Sequence, residues 1–408
     1  MMWKISRFLF INFLFVSLLL GESVQIPRDN TQMREGPGCF YRLVGVLNKG
    51  AAVNIVDIQT GWKKVTFQDK VGWISENALI ATTESGTSSK LPQIKTGTLF
   101  ISSASASGAI KGFAQKFINF RGGAADFPEQ YSYYFFTPDE YYRFRQETYN
   151  NRNPEKIRKR YKRIKGEDSN NNLSPDQERV GLAAASKIAA LGLVNDPQHL
   201  KYLNLVGNIV LENTPLYDYP VRFYLLTDSR PAAYTTPNGM IFLTRGLVKL
   251  FQDEAELAGV LAHEIAHVVQ KHGYKELAKR EAMITAEDVF IQLDEEVPPD
   301  SVEAELDDIA LNSYEAATSR RQIKYEYEAD RLGAIYAYRA GYDPEGLTRV
   351  LIRIKNSTDR DFWHPESNWT YDAIGDRVEK IRDLIQTELN KNPEWNTDFR
   401  IRFQNYFE

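Results

Sequence analysis

Between Asp253 and Gly273 the apolar residues Leu257, Leu261, Ile265 and Val268 recur at helical spacing, which predicts one amphipathic helix. Asp253 is its expected N-cap, with Glu256 completing a capping box, and Gly273 is its expected stop. Upstream, Ser174-Pro175-Asp176-Gln177 opens a helix through Ala190, and a second runs from about Pro197 to Glu212. Between these helices and the first, Val221–Leu226 alternates as a strand does. Ala232–Thr236 and Met240–Thr244 flank Pro237-Asn238-Gly239 as a hairpin. Ser319–Gly341 reads as a further helix, and residues 271–320 as a mostly helical stretch holding an acid-rich, proline-broken run, a solvated connector rather than a loop or lid over the cleft.

The first third has a different rhythm. Lys4 and Arg7 precede an apolar run, Phe8–Leu20, that is shorter than the ~20 residues of a membrane span, and cleavage after Ser23 would remove it as a signal peptide. Short alternating strands with turn glycines at Gly36, Gly38, Gly45, Gly50, Gly61 and Gly72 predict a small barrel over residues 31–80. Trp62 and Trp73 belong to its core or groove walls. A Thr/Ser/Gly-rich linker, 81–97, leads into residues 98–173, where an aromatic band (Tyr131–Phe136, Tyr141-Tyr142) precedes a basic one (Lys156–Arg163). This band is read as a solvated basic helix with aromatics packed on the following domain, rather than as a membrane-surface contact.

Composition narrows the choices. A chain of 408 residues with 43% hydrophobic content exceeds a single typical core. A net charge of −4 together with an export signal disfavours nucleic-acid binding. The one cysteine, Cys39, cannot form an internal disulfide, and no later stretch is apolar enough to span a bilayer.

The candidate chemistry lies in the predicted helix. His263-Glu264-Ile265-Ala266-His267 places two of the chain's five histidines about 40° apart on one face, so both imidazoles can reach one zinc ion. Zinc lowers the pKa of its bound water toward ~7, and Glu264 is the candidate base that takes that water's proton. This motif resembles that of gluzincin-type sites, which implies a third donor, a Glu, on a downstream helix. There Glu326 and Asp330 share a face, Glu326 as ligand and Asp330 as acceptor of an imidazole N–H. Glu328, about 200° from Glu326, and His272, about 140° from His267, are expected to be solvated. His199 carries no signal.

These residues resemble the gluzincin metallopeptidases of the HtpX, BepA and CAAX prenyl protease type, peptidase family M48. The similarity runs from about Ser174 to Leu389 and rests on Glu256–His267, on Glu326-Tyr327-Glu328-Ala329-Asp330, on Pro237–Leu247 and on Gly341-Tyr342-Asp343-Pro344. Two departures stand out. Ala232-Ala233-Tyr234-Thr235 replaces an Asn-Ala-Phe-Ala run, and the Arg expected six residues after His364-Pro365 is matched only by the later Arg377. The resemblance implies that His364 either caps the zinc or stabilises the oxyanion, the alternative being an ordinary loop histidine. Residues 31–80 resemble bacterial SH3-like domains, which implies a cell-wall or protein ligand.

The expected architecture is α+β, a small all-β SH3-like barrel followed by a mainly helical zincin-type domain, residues 174–408, with a small sheet. The expected function is an exported endopeptidase, periplasmic or secreted, with one Zn2+ per chain. It would act on extended segments of misfolded or unassembled envelope proteins, held by an exposed edge strand of the sheet. A peptidoglycan-peptide hydrolase and a chaperone or binding protein with a capped metal site are the alternatives.

Overall fold

The alternating segments near the N-terminus do form strands. The computed structural model describes residues 22–28, 31–38, 41–79, 135–150, 153, 164, 166–167, 175–279, 314–315, 317–318, 321–357, 373–389 and 399–407. The apolar leader, Cys39, the linker 81–97, the bands 131–134 and 156–163, the acid-rich run 294–308 and His364 lie outside these residues.

Six strands, β1 (Glu22–Gln25), β2 (Thr31–Arg34), β3 (Leu43–Leu47), β4 (Ala52–Gln59), β5 (Trp62–Phe67) and β6 (Lys70–Ser75), pair antiparallel in the order β1-β4-β5-β6-β2-β3. Met33, Leu47, Val53, Val65 and Ile74 fill their core. Gly61 turns between β4 and β5 at φ 78°, a backbone conformation that side chains disfavour. The sheet begins earlier than the expected barrel: Glu22 and Ser23 pair with Ile55 and Asn54, so a cut after Ser23 would fall inside β1. Trp62 is more than a barrel core residue, because its ring stacks on Tyr217 of the following domain at 5.9 Å. Beside it Arg28 Nη2 donates to the Asp218 carbonyl at 2.6 Å.

The rest is mainly helical. Helix α1 (Pro138–Tyr149) starts at a full capping box, Thr137 with Glu140, and Lys201 ties Glu140 to the neighbouring helix at 2.9 Å. The Thr137 N–H, then Lys201, hold the Glu140 carboxyl down at about 2. A depressed carboxylate contributes stability present above its unfolded value and lost as pH falls through the folded one. The stability difference between the wild type and Glu140→Gln is therefore expected to be constant above pH ~5 and to vanish toward pH 2, as denaturant melts across that range would show. A wild-type advantage unchanged at pH 2 would contradict this cap.

Helices α2 (Pro175–Ala189) and α3 (Pro197–Leu211) flank a three-stranded sheet, β7 (Arg222–Leu226), β8 (Ala233–Thr235) and β9 (Met240–Thr244). The hairpin β8–β9 is antiparallel as expected, and β7 lies parallel to β9, giving the order β7-β9-β8. The β7 alternation is real but covered on both sides, with Phe223 and Leu225 in the main core and Tyr224 and Leu226 in a second core with Leu182, Ala185 and Ile188 of α2.

After the short α4 (Arg245–Val248) comes α5 (Glu254–Val269), which carries the two histidines. It departs from its expected form in three ways. It is buried on every face, not amphipathic, because sheet and helices enclose it. Asp253 caps the Glu256 N–H as expected, but the Glu256 carboxylate accepts from the Gln252 N–H, one residue before the cap, and pairs with Arg349 and Arg353. It also ends before Gly273: Lys271 takes φ 56°, and α6 (His272–Lys279) begins at once.

Among the described residues four more helices follow, α7 (Ile323–Arg339), α8 (Gly346–Lys355), α9 (Ile374–Leu384) and α10 (Arg400–Phe407). Gly333 lets α7 lie directly on α5, since a Cβ there would come within 2.8 Å of the His263 backbone nitrogen. Helix α10 closes the start of α5: the Arg402 guanidinium forks onto buried Glu254, which also accepts from Tyr202 at 2.7 Å and Tyr342 at 2.8 Å.

Candidate metal centre

Where α5 and α7 cross, three donors converge. His263 Nε2 and His267 Nε2 lie 3.1 Å apart, and Glu326 oxygens stand 3.4 Å from His263 Nε2 and 3.5 Å from His267 Nε2. A tetrahedral ion with bonds of ~2.1 Å has donor-to-donor edges of ~3.4 Å, close to each of these separations, the two Glu326 distances being to its two different oxygens. All three residues are buried, and they are the one cluster of metal-ligating type among the described residues. Glu326 Oε1 is buried without a hydrogen-bond partner, an arrangement that is costly for a carboxylate and that a cation would relieve. The residues present therefore fit a zinc ion.

The surroundings aim these donors. His263 Nδ1 lies 2.9 Å from Asp330 Oδ1, which accepts its N–H, so that in the neutral imidazole the Nε2 lone pair faces the cluster. Asp330 is held in turn by Arg377, whose Nε and Nη2 both donate at 2.7 Å, while Arg377 Nη1 stands 3.2 Å from Glu326. Burial alone would raise both carboxyls, but the Arg377 charge outweighs it, holding Glu326 below its ordinary range and Asp330 at about 2. Burial pushes the His263 imidazole down, yet Asp330 and Glu326 overcome it and hold it up to about 9 in the metal-free site. Burial first, and then the Arg321 charge, push His267 well below its ordinary value.

Glu264, next to His263, is 3% exposed and accepts from the Thr235 hydroxyl of β8. Arg321 stands at the same place, Nη1 3.9 Å from Glu264 and Nη2 donating to the Thr235 carbonyl at 3.2 Å. Strand β8 is thus an edge strand as expected, but not a fully exposed one: Ala233 and Thr235 are buried and Arg321 occupies the Thr235 carbonyl.

The expected set His263, His267, Glu326, Asp330 and Glu264 is brought together, and His364 lies outside the described residues. Arg377, left open by its spacing, enters the cluster. His272 is a correction. It was expected to be solvated because helical rotation was carried past His267, but α5 stops at Val269 and the Lys271 turn swings His272 back, 0% exposed, with Nδ1 2.9 Å from His267 Nδ1. Burial pushes its imidazole down to about 4. Glu328 is only partly solvated, its carboxylate lying 3.1 Å from His272 Nε2. Reading the sequence missed Thr235 and Arg321, because no spacing rule links a strand or a loop to a histidine on another element.

The model of peptidase family M48 matches residues 201–387, and that of the bacterial SH3 domain matches residues 29–80. A beta-barrel assembly-enhancing protease of Yersinia pestis is 27% identical over 216 residues, covering 52% of this chain and 44% of that protein. The mitochondrial metalloendopeptidase OMA1 of Schizosaccharomyces pombe is 28% identical over 156 residues, covering 38% of this chain and 43% of that protein. A putative N-acetylmuramoyl-L-alanine amidase, YrvJ, of Bacillus subtilis is 31% identical over 88 residues, 20% of this chain and 17% of that protein. The chain thus spans less than half the length of these curated relatives. Residues 201–387, which carry every element of the donor cluster, are a domain of peptidase family M48, and residues 29–80 ahead of them are a bacterial SH3 domain.

Proposed function

We propose that this protein is an exported zinc-dependent endopeptidase that hydrolyses peptide bonds in misfolded or unassembled envelope proteins. The observation that carries the reading is the convergence of His263, His267 and Glu326 beside Glu264. Zinc, when bound, supplies a Lewis acid and an acidified water. His263, His267 and Glu326 would hold the ion, Glu264 is placed to accept a proton from the attacking water and return it to the leaving amine, and Asp330 and Arg377 would keep the ligands aimed. Thr235 and Arg321 fix the Glu264 carboxylate and the end of β8, along which an extended peptide would lie. Such binding favours unfolded segments over folded domains. The similarity to a beta-barrel assembly-enhancing protease supports envelope proteins as the substrate class.

The partial similarity to a putative N-acetylmuramoyl-L-alanine amidase favours a second reading, in which the SH3 domain brings the same site to cell-wall peptides. Casein and unfolded outer-membrane proteins, tested beside purified sacculi, separate the two: cleaved polypeptide supports the first, and released muropeptides with intact casein select the second. Full function of Glu264→Gln in a deletion strain would instead favour a chaperone or binding role.

Two outcomes are expected of the ligands. Glu326→Ala should lose the ion, leaving well under one zinc per chain by elemental analysis after gel filtration. A Glu326→Ala protein that keeps stoichiometric zinc would remove Glu326 from the ligand set. Zinc must also displace the proton that Asp330 and Glu326 hold on His263 up to about 9. Affinity measured by chelator competition should therefore fall as pH is lowered below that value, and a flat profile between pH 8 and 5 would contradict it.

A further inference from the structure

Buried histidines outside the ligand set are usually neutral core residues with satisfied nitrogens, and His272 has a more specific arrangement than that. Its two ring nitrogens join a metal ligand to a carboxylate at the edge of the protein: Nδ1 lies 2.9 Å from His267 Nδ1, and Nε2 lies 3.1 Å from Glu328 Oε2. The His272 ring is fully buried and stacked on Tyr325 at 4.3 Å, whereas the Glu328 side chain is 38% exposed. Gln270 donates to the same carboxylate and to the Gly166 carbonyl at 2.7 Å, so Glu328 is itself held in place.

The direction of this chain follows from what each group can do. An ionised carboxylate only accepts, so the proton of a neutral His272 must sit on Nε2. His272 Nδ1 is then an acceptor, and His267 Nδ1, facing it, must carry a hydrogen. The proton-free nitrogen of His267 is therefore Nε2, the atom that faces His263 Nε2 and Glu326. His263 reaches the same tautomer by a direct contact with Asp330. The two ligand imidazoles are thus set by two carboxylates, one in contact and one acting through a second imidazole.

Resting on the ligand reading above, we infer that His272 and Glu328 are positioning residues that fix the tautomer and orientation of the metal ligand His267. His272 is 0% exposed and its ring nitrogens lie against His267 and Glu328, so its effect on the metal would pass through His267. The relay also ends on α7, the helix that supplies Glu326, so the turn at Lys271 and the third ligand are tied together by one carboxylate.

The test is zinc affinity, measured by chelator competition on the full chain, with the visible spectrum of the cobalt-loaded protein as a second readout. His272→Phe keeps the stack on Tyr325 and removes both nitrogens, and about a 10- to 100-fold loss of zinc affinity is expected. His272→Asn places an amide oxygen near the Nδ1 position and should recover most of that loss. Glu328→Ala should weaken binding in the wild-type background and add nothing further in His272→Phe, because the link is already cut. The cobalt spectrum should shift in His272→Phe and return toward the wild type in His272→Asn. Equal zinc affinity in His272→Phe and the wild type would overturn the relay, as would strictly additive effects of His272→Phe and Glu328→Ala. Should His272→Phe fail to fold, unchanged affinity in Glu328→Ala would overturn it as well. A wild-type chain that binds no zinc would instead bring down the ligand reading, and the relay with it, so the two failures are distinguishable.

Discussion

Glu264→Gln is expected to keep one zinc per chain while peptide hydrolysis falls by about 10²- to 10⁴-fold, the range for loss of a positioned general base. The two properties separate because Glu264 is not among the converging donors: those atoms belong to His263, His267 and Glu326. Glutamine has the same length, and its carbonyl can still accept from the Thr235 hydroxyl that now holds the carboxylate. What it lacks is the capacity to take a proton from the attacking water and return it to the leaving amine. Elemental analysis beside casein or labelled-peptide turnover checks both halves. A variant retaining more than about a tenth of wild-type turnover would show that another group is the base. Zinc lost together with activity would show that Glu264 supports the site structurally.

Arg377→Met is expected to destabilise the metal-free protein by about 3–5 kcal/mol, the cost of leaving a buried ion pair without one partner. Arg377 is 0% exposed and serves two carboxylates, forking onto Asp330 and pairing with Glu326. Methionine fills much of the volume, so the loss reflects charge more than cavity. The sign with pH follows from Asp330, which Arg377 holds at about 2 against an ordinary value of 3.8. That carboxylate adds stability present above its unfolded value and lost as pH falls through the folded one. Without Arg377 the carboxyls titrate upward, so the deficit should be largest at neutral pH and shrink in acid. Zinc replaces part of the lost positive charge beside Glu326, so the loaded variant should recover some, though not all, of the difference. Denaturant melts with and without zinc at pH 7 and pH 4 give the four numbers needed. A deficit under 1 kcal/mol at neutral pH would mean that water or a rearranged side chain compensates the carboxylates.

Much of this was legible in the chain because it is local. The pairing of His263 with His267 follows from the pitch of a single helix, as does that of Glu326 with Asp330, and pitch is fixed by backbone geometry. The hairpin at Pro237-Asn238-Gly239 was legible for a similar reason, with Gly239 taking φ 79°. The barrel strands showed in their period of two and their turn glycines. Local readings failed where one element was carried past its true end. The rotation that sent His272 to solvent assumed a helix that stops at Val269, and Lys271 carries none of the glycine signal by which such a turn is usually recognised. The amphipathic reading of α5 failed because alanines and a glycine on its other faces are small enough to be buried under neighbouring helices.

The sequence by itself determined which residues share a helix face, His263 with His267 and Glu326 with Asp330, and the two-part order of an SH3 domain before a peptidase domain. Only the tertiary structure decided that Arg377 reaches Asp330 and Glu326 from α9, that Arg321 and Thr235 meet Glu264, and that His272 and Glu328 stand behind His267. The physical reason is one of range. Helical pitch and strand alternation act over a few residues of one element, whereas a buried charge selects its partner by proximity in the folded core, where desolvation makes an unpaired ion far more costly than any sequence separation between the two.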